Sequence, residues 1–522
     1  MADEQFDLII VGSGVSGLSA AITAAESGAE VCVLSKEQDL SECNTFYAQG
    51  GIVGEGVDDS PELLKKDILR AGDHLNYHAA ADLLASEGPR TVTDFLLHKV
   101  GVPFYRRKNG ELDLTREGAH STRRILHVRD ESGKAIELSL LNYAKKTANI
   151  EFRSNHFAVD LLTNSHHALD LQERYRETRV IGVYALNQNT GEVVSLFAPT
   201  IILATGGLGN LFLHTSNPEG AVGDGIAMAY RAGATILNAE YVQFHPTKLF
   251  HRDVKRFLIS ESLRGEGARL MTRRGEYFME KYNPELKDLA PRDEVSRAIY
   301  REVELDQDAF VLLDTTAIDG ISLKDRFPSI YTTCMEVGID IEKEPIPVVP
   351  AAHYSCGGIK VDLKGRTTVK GLYALGETAC TGVHGANRLA SVSLLEGLFF
   401  GVRAGKHIGA KKKNLSQELL KKIPPWFYPE NEIDFDPVLI NQDLLNIRSL
   451  MWHYAGIVRT KRRLQRILAD LNYLSHRIEQ FYQEARLTKT IIELRNAVLT
   501  ASLVAKAAYN NPDSRGCHYV RK

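Results

Sequence analysis

This 522-residue sequence predicts a parallel α/β domain, interrupted by an inserted segment of mixed character and followed by an all-helical domain. Three observations carry that prediction. First, Phe6–Val11 reads FDLIIV, a short continuous apolar run, and Glu30–Leu34 is another. Such runs suit strands buried on both faces of a parallel sheet. Between them stand Gly12-Ser13-Gly14, helical spacing from Leu18 to Glu26, and Gly28 as a stop. That is about the length a parallel crossover needs. Second, the same character returns far down the chain. Thr200–Ala204 (TIILA) closes in Thr205-Gly206-Gly207, and Gly371–Gly376 closes in Glu377. The stretch between them, Asn238 to Ala352, is mixed and rich in charge, so it reads as an insertion into one domain. Third, Gln442–Asn510 keeps helical spacing almost throughout, enough for three helices, and Pro512 ends the last.

The remaining segments fill in this plan. Ser60–Gly101 has helical spacing, and short β-like runs alternate with polar turns from Ile150 to Phe197. Residues 411–440 open with Lys411-Lys412-Lys413 and continue through Pro424, Pro425, Pro429 and Pro437, the composition of a linker. The length allows two to four domains and a large core. A net charge of −3 leaves no footprint for nucleic acid. Local basic runs such as Lys461-Arg462-Arg463 read as solvated helix ends. The six cysteines contain no CxxC pair, which argues against an iron–sulfur cluster or a structural zinc. Scattered single thiols fit a reducing compartment. The start, MADEQFDLIIVGSG, has no basic n-region, so a signal peptide is not expected. No window of 18 consecutive apolar residues occurs, so no membrane span is expected either. The expectation is a cytoplasmic protein that binds neither nucleic acid nor membrane.

Gly12, Gly14 and Gly17 form GxGxxG between strand and helix. The first glycine permits the tight turn, the second lets backbone approach a pyrophosphate, and the third lets helix and strand pack closely. In this context the motif predicts dinucleotide binding. The second strand ends Ser35-Lys36-Glu37, with its acid late for a ribose ligand. Ser35 or Lys36 takes part of that role, or Glu37 is a surface charge; the departure weakens a nicotinamide reading. Phe46–Ile52 (FYAQGGI) offers backbone amides to a flat ring, and Glu377 is placed to accept from ribityl hydroxyls. Together with Thr205-Gly206-Gly207, these segments point to a flavin.

Several other segments suit a dicarboxylate. NAEYVQFHPT supplies His245, and SESLRGEG supplies Ser260, Glu261 and Arg264. APRD supplies Arg292, PAAHYSCGG supplies His353, and GANR supplies Arg388. Arginine grips a carboxylate bidentately, and histidine donates a hydrogen bond whether neutral or charged. TREGAHSTRRILH sets one carboxylate, Glu117, among Arg116, His120, Arg123, Arg124 and His127. A dicarboxylate site with one added anion can also grip an ammonium group. Each cluster has a bland alternative: Arg264 and Arg292 as halves of salt bridges, Glu261 as the partner of Arg264. Spacing alone does not show that they converge.

VGSGVSGLSAA, NTFYAQGG, TREGAHSTRRILH, ATGG, GDGIAMA, QFHPT, SLRGEGA, LAPRD, VPAAHYSCGG, GLYALGE, TGVHGANRLASVSLLE and a late SRGCHY run almost end to end. In these motifs the chain resembles the L-aspartate oxidases, a branch of the succinate dehydrogenase and fumarate reductase flavoprotein family. The resemblance implies an α/β FAD-binding Rossmann-like domain with an inserted α+β capping domain and an all-α C-terminal helical domain. The expected boundaries are 1–238 with 354–410 for FAD binding, 239–353 for the cap, 411–440 for the linker and 441–522 for the helices. For FAD it implies Gly12, Ser13, Gly14, Gly17, Lys36, Asn44, Thr45, Gly50, Gly51, Asp224, Glu377, Ser393 and Leu394. In the membrane-bound dehydrogenases a histidine before the glycine pair is joined covalently to FAD. Asn44 stands in its place, which implies non-covalent FAD.

Glu117 stands where the succinate and fumarate enzymes carry a neutral amide, and the resemblance makes it the group that orients the substrate's amino group. By the same resemblance His245, Ser260, His353 and Arg388 hold the two carboxylates. Position 260 is threonine in most relatives; serine keeps the hydroxyl. Arg292 becomes the proton donor and acceptor, relayed by Glu261 and Arg264. The implied reaction is oxidation of L-aspartate to iminoaspartate, with oxygen or fumarate as acceptor, at the entry to quinolinate and NAD biosynthesis. Hand-over of product to quinolinate synthase is an expected partnership, and the oligomeric state is left as monomer or weak dimer. A soluble fumarate reductase or succinate dehydrogenase is the first rival. An electron-transfer subunit docked on an iron–sulfur partner is the second. Asn44 and Glu117 weigh against the first, and Asn44 against the second.

Overall fold

The computed structural model describes residues 4–409, 415–430, 432–434 and 436–521. Its centre is a five-stranded sheet in the order Leu372–Ala374, Ile201–Leu203, Leu8–Val11, Val31–Leu34, Ile150–Arg153, every neighbouring pair parallel. The apolar runs of the sequence are these strands, and Leu8–Val11, Val31–Leu34, Ile201–Leu203 and Leu372–Ala374 are buried along their whole length. The crossover helix Val15–Glu26 follows the first strand. Gly12 there has φ +114, and a Cβ on it would lie 2.2 Å from the Ala204 carbonyl oxygen. A Cβ on Gly17 would lie 2.1 Å from the Gly12 oxygen, so the third glycine serves helix-on-strand packing.

The crossover helix lies against helix Val392–Gly409. Gly397, Gly401, Gly405 and Gly409 recur every fourth residue on the second helix and face Ser16, Ser19, Ala20, Thr23 and Ser27 on the first. Residues four apart share a helix face, so this spacing removes every side chain from the contact line and the backbones meet. That helix carries Ser393 and Leu394 at its start, which ties the site to the sheet through rigid packing.

The inserted segment forms a four-stranded antiparallel sheet, Val242–Leu249, Ile346–Ser355, Val311–Asp314 and Arg269–Met271, with helix Arg292–Asp306 against it. Its core, built around Ile259, Leu263, Phe278, Ile299 and Phe327, is separate from that of the parallel sheet. Another sheet, Glu4–Gln5, Glu192–Phe197, Val180–Asn187 and His156–Thr163, covers the remaining β-like runs.

Helices Pro437–Ala455, Lys461–Glu484 and Lys489–Asn510 form the C-terminal layer. Asp436, Thr460 and Thr488 cap their N-termini by accepting from backbone N–H groups, so the first helix begins before Gln442. Ile447, Ile467, Leu471 and Val504 join the same core as Ile9 and Leu203, so these helices share a core with the parallel sheet. Within the stretch expected as a linker, Leu415, Leu420 and Ile423 pack against Phe157 and Phe197. Tyr184 Oη donates to the Pro424 carbonyl at 2.8 Å and its ring meets Trp426 edge-on, so this stretch is a docked strap rather than a free tether. Lys411-Lys412-Lys413 lies outside the described residues. No helix among the described residues is long and apolar enough to cross a membrane.

Candidate active site

A cleft of about 710 Å³ opens along the C-terminal ends of the central strands. Gly12, Ser13, Gly14, Lys36, Asn44, Thr45, Asp224, Glu377, Ser393 and Leu394 line it. Gly17, Gly50 and Gly51 stand behind that wall: a Cβ on Gly50 would meet Glu117 Oε1 at 2.5 Å, and one on Gly51 the Leu126 oxygen at 2.3 Å. The Thr45 hydroxyl accepts from Val15 N–H at 3.1 Å, and Ser13 Oγ donates to the Leu40 carbonyl at 2.6 Å, which fixes the glycine loop.

Lys36 Nζ donates to Asp224 Oδ2 at 2.6 Å, Glu493 Oε1 at 2.8 Å and the Gly220 oxygen at 2.7 Å. Burial would lower its pKa, but the two carboxylates outweigh burial and raise it. Asn496 Nδ2 reaches the other Asp224 oxygen at 2.7 Å. Glu493 and Asn496 sit on the last helix, so the C-terminal layer braces the nucleotide end of the cleft. Glu37 also lines the cleft, and Lys489 Nζ binds both its oxygens at 2.6 Å.

Glu377 is gripped from two sides, by Asn44 Nδ2 at 2.9 Å and by Ser355 N–H at 3.0 Å. Burial pushes its pKa up to about 7. A Cβ on Gly207 would collide with this carboxylate at 2.1 Å, so the bare glycine lets Glu377 lie flat against the floor of the cleft. A cleft lined by a glycine loop and by a half-buried carboxylate able to accept from hydroxyls fits a flavin dinucleotide.

The dicarboxylate residues converge at the other end. His245 and His353 stand on neighbouring antiparallel strands, rings 5.2 Å apart. The pairing slips at both positions: Gln243 faces Tyr354 but Phe244 faces Ala352, leaving His353 as a bulge residue. Bulges re-aim side chains beside active sites. A second slip, between His245 and Lys248, falls at Pro246, which has no N–H for the ladder. Burial, with Arg292 and then His353 next, holds His245 well below the usual histidine range, so its ring is neutral. Thr247 N–H donates to His245 Nδ1 at 3.2 Å, which places the ring proton on Nε2. That Nε2 is buried without a protein partner, a donor kept for a ligand. His353 is likewise held neutral by burial, then by Arg388 and Arg292, and its Nδ1 lies 2.8 Å from Ser216 Oγ. Ser260 caps the short helix Glu261–Gly265, its Oγ 3.3 Å from the Ser262 N–H.

Arg292 and Arg388 share one acceptor. Gln243 Oε1 accepts from Arg292 Nη1 at 3.3 Å and from Arg388 Nε and Nη2 at 3.2 and 3.1 Å. Arg388 also lies over the Tyr354 ring at 4.6 Å and donates to Ser393 Oγ. Arg292 Nε donates to Glu261 Oε2 at 2.7 Å, and Arg264 Nη2 is 3.7 Å from the same oxygen. Burial would raise Glu261, but Arg292 and Arg264 outweigh it and hold its pKa at about 2. Arg264 is anchored to the Asp288 carbonyl.

Glu117 reaches this cluster from the other side. Ser391 Oγ donates to its Oε2 at 2.6 Å. Burial raises the Glu117 pKa, Ser391 and Arg292 pull it back, and Glu261 pushes it up again. The cations around it in sequence do not gather round it in space. Arg124 is fully buried and pairs with Asp67 and Asp59, both at 2.8 Å. His127 stands 3.5 Å from Asp113, and Arg116 and Arg123 are exposed. His120 Nε2 bonds the Ala390 carbonyl at 3.0 Å. A run of alternating turns and strand ends sends neighbours in different directions, so proximity in sequence overstated the cation crowd.

Sequence reading also missed two residues. Gln243, two positions before His245 on one strand, shares its face, a period-two signal that was available. Ser391 has φ +58, a left-handed conformation uncommon outside glycine, and nothing local to the sequence signals it.

A family model for an FAD binding domain matches residues 7–394, and one for a fumarate reductase flavoprotein C-terminal region matches residues 445–522. An L-aspartate oxidase of Acinetobacter baylyi is 43% identical over 520 residues, covering 99% of this chain and 93% of that protein. One from Pseudomonas aeruginosa is 42% identical over 533 residues, covering 99% and 95%. The chain belongs to the L-aspartate oxidase family. Among solved structures, the FrdA chain of an E. coli quinol fumarate reductase mutant superposes with a TM-score of 0.88 at 29% identity, covering all of this chain and 92% of that one. The L-aspartate oxidase family thus shares its architecture with the fumarate reductase flavoproteins, and FAD is the cofactor. What separates the two groups lies in individual side chains.

Proposed function

We infer that this chain oxidises L-aspartate to iminoaspartate with FAD, passing electrons to oxygen or fumarate, as the first step of quinolinate and de novo NAD biosynthesis. The observation that carries this reading is Glu117: one half-buried carboxylate, held by Ser391, facing a site whose other ligand-binding groups are neutral or cationic donors. Arg388 and the Nε2–H of His245, with His353 and Ser260, suit the two substrate carboxylates. Glu117 suits the ammonium between them. Bound FAD supplies the acceptor for the hydride that leaves the substrate Cα.

Imine formation also requires loss of a proton from the substrate nitrogen. Arginine stays protonated in proteins, so Arg292 can take up that proton only by giving another away. Its Nε–H lies 2.7 Å from Glu261 Oε2, so passing a proton to Glu261 frees the guanidine to take up the substrate's proton in its place, without a neutral arginine accumulating. Arg264 steadies the charge on Glu261. Asn44, whose amide is spent on Glu377, has no nucleophilic atom to join a flavin ring, which supports non-covalent FAD. Six free cysteines suit a reducing, cytoplasmic setting. Iminoaspartate hydrolyses in water, which favours hand-over to quinolinate synthase.

Anaerobic addition of L-aspartate and of succinate, separately, tests the reading. Bleaching of the flavin by aspartate and not succinate is expected. Bleaching by succinate alone would move the chain to the dicarboxylate dehydrogenases.

A further inference from the structure

The late SRGCHY motif has no place in the chemistry above, yet it reaches the site through one amide. Asn387, buried beside Arg388, uses both ends of its side chain. Its Nδ2 donates to Asp293 Oδ1 at 2.9 Å. Its Oδ1 accepts from Gln243 Nε2 at 2.6 Å and from the Cys517 thiol at 3.1 Å. Asp293 immediately follows Arg292 in the first turn of helix Arg292–Asp306, and Gln243 is the amide that Arg292 and Arg388 share. The tail closes the circuit: Cys517 N–H donates to the Ala386 carbonyl at 3.0 Å. Arg297 Nη1 donates to the Gly516 carbonyl at 3.0 Å, and Arg297 pairs with Asp293 at 2.8 Å.

We propose that Asn387 is a positioning residue that sets Arg292 against Glu261, by latching the first turn of the inserted segment's helix to the dinucleotide-binding domain and to the C-terminal tail. The proposal rests on the reading of Arg292 as the proton-transferring group. Asn387 is the only one of these contacts that touches three parts of the chain at once: the helix through Asp293, the strand through Gln243 and the tail through Cys517. An amide is needed because one end must donate to a carboxylate while the other accepts from an amide and a thiol. A misplacement of about 1 Å at a reacting group costs on the order of a hundredfold in rate, so the latch acts on turnover rather than on carboxylate binding.

The test uses the FAD-loaded full chain with Asn387→Asp, Asp293→Asn and the two together. Asn387→Asp sets two carboxylates face to face. It is expected to lower kcat for aspartate at least about tenfold, while FAD content and malonate affinity (read from the flavin spectrum) stay within about twofold; the like-charge pair also lowers the melting temperature, which the double variant regains. In the double variant donor and acceptor exchange sides, and kcat is expected to return to within about threefold of the parent. Full kcat in Asn387→Asp, or a loss that follows falling FAD content and is not regained in the double variant, would overturn the latch. Arg292→Leu is measured alongside: if it still turns over, the proton-transfer reading fails, whereas an inactive Arg292→Leu beside a fully active Asn387→Asp removes only the latch.

Discussion

Glu117→Gln is the sharpest perturbation available. Glutamine keeps the shape of the side chain and can still accept from Ser391 Oγ, which donates to Glu117 at 2.6 Å, so the change removes charge and little else. An ammonium about 4 Å from the carboxylate at an effective dielectric near 20 gains roughly 4 kcal/mol. Desolvation subtracts from this, because burial already raises the Glu117 pKa. If about half survives, roughly 2 kcal/mol, kcat/KM for aspartate falls about 30-fold. Fumarate has no ammonium, so its reduction by a dye-reduced enzyme should change less than about threefold. The pH profile supplies a second reading. With its pKa raised, Glu117 becomes a carboxylate only as pH climbs through a range above that of ordinary glutamates. Aspartate kcat/KM should therefore rise across that range in the parent and lack this limb in the variant. Equal losses for aspartate and fumarate, with FAD retained, would refute the ammonium role and leave Glu117 a structural carboxylate.

The other predictions concern the relay, the cofactor brace and acid stability. Arg292→Leu should keep FAD and lose roughly a thousandfold in turnover, the scale of acid–base catalysis; substantial steady-state activity would contradict the relay. Asn496→Ala removes the 2.7 Å contact to Asp224 and should weaken FAD binding about tenfold in a fluorescence titration, since hydrogen bonds to charged groups contribute about 1.5–3 kcal/mol. Unchanged FAD affinity would mean the last helix does not support the nucleotide end. Glu261 is depressed from 4.5 to about 2, so its ion pairs stabilise the fold fully above about pH 4.5 and this contribution disappears as pH falls through about 2. By linkage it is worth about 3 kcal/mol at neutral pH. Thermal melts of the parent and Glu261→Gln should therefore differ at pH 7 and converge on acidification; parallel curves would show that the pair contributes no such term.

Much of the nucleotide half was legible in the sequence because it rests on local rules. Strands Leu8–Val11 and Ile201–Leu203 are buried on both faces, so they appear as unbroken apolar runs. Gly17 is fixed by the approach of the Gly12 carbonyl within one strand–helix turn, and Gly12 by its left-handed backbone and the Ala204 carbonyl of the neighbouring strand; a GxGxxG between strand and helix announces both. The three late helices follow from their spacing and from Pro512 after the last, and Asp436, Thr460 and Thr488 cap them. His245, Glu261, Arg292, His353 and Arg388 were nameable by residue type and by resemblance, and the structure brings them together.

Their relations were not legible. Only the packed structure decided that Gln243 joins Arg292 to Arg388 and that Arg124 belongs to Asp59 and Asp67 instead of the site. The same is true of Ser391, which turns left-handed to hold Glu117, and of Glu493 and Asn496, which return from the end of the chain to brace Lys36 and Asp224. Hydrogen-bond partners tens to hundreds of residues apart leave no periodic trace in a single sequence. Helix spacing, strand alternation and glycine placement are set by neighbours along the chain, whereas charge pairing is set by whichever side chains the packed layers bring within about 3 Å of one another.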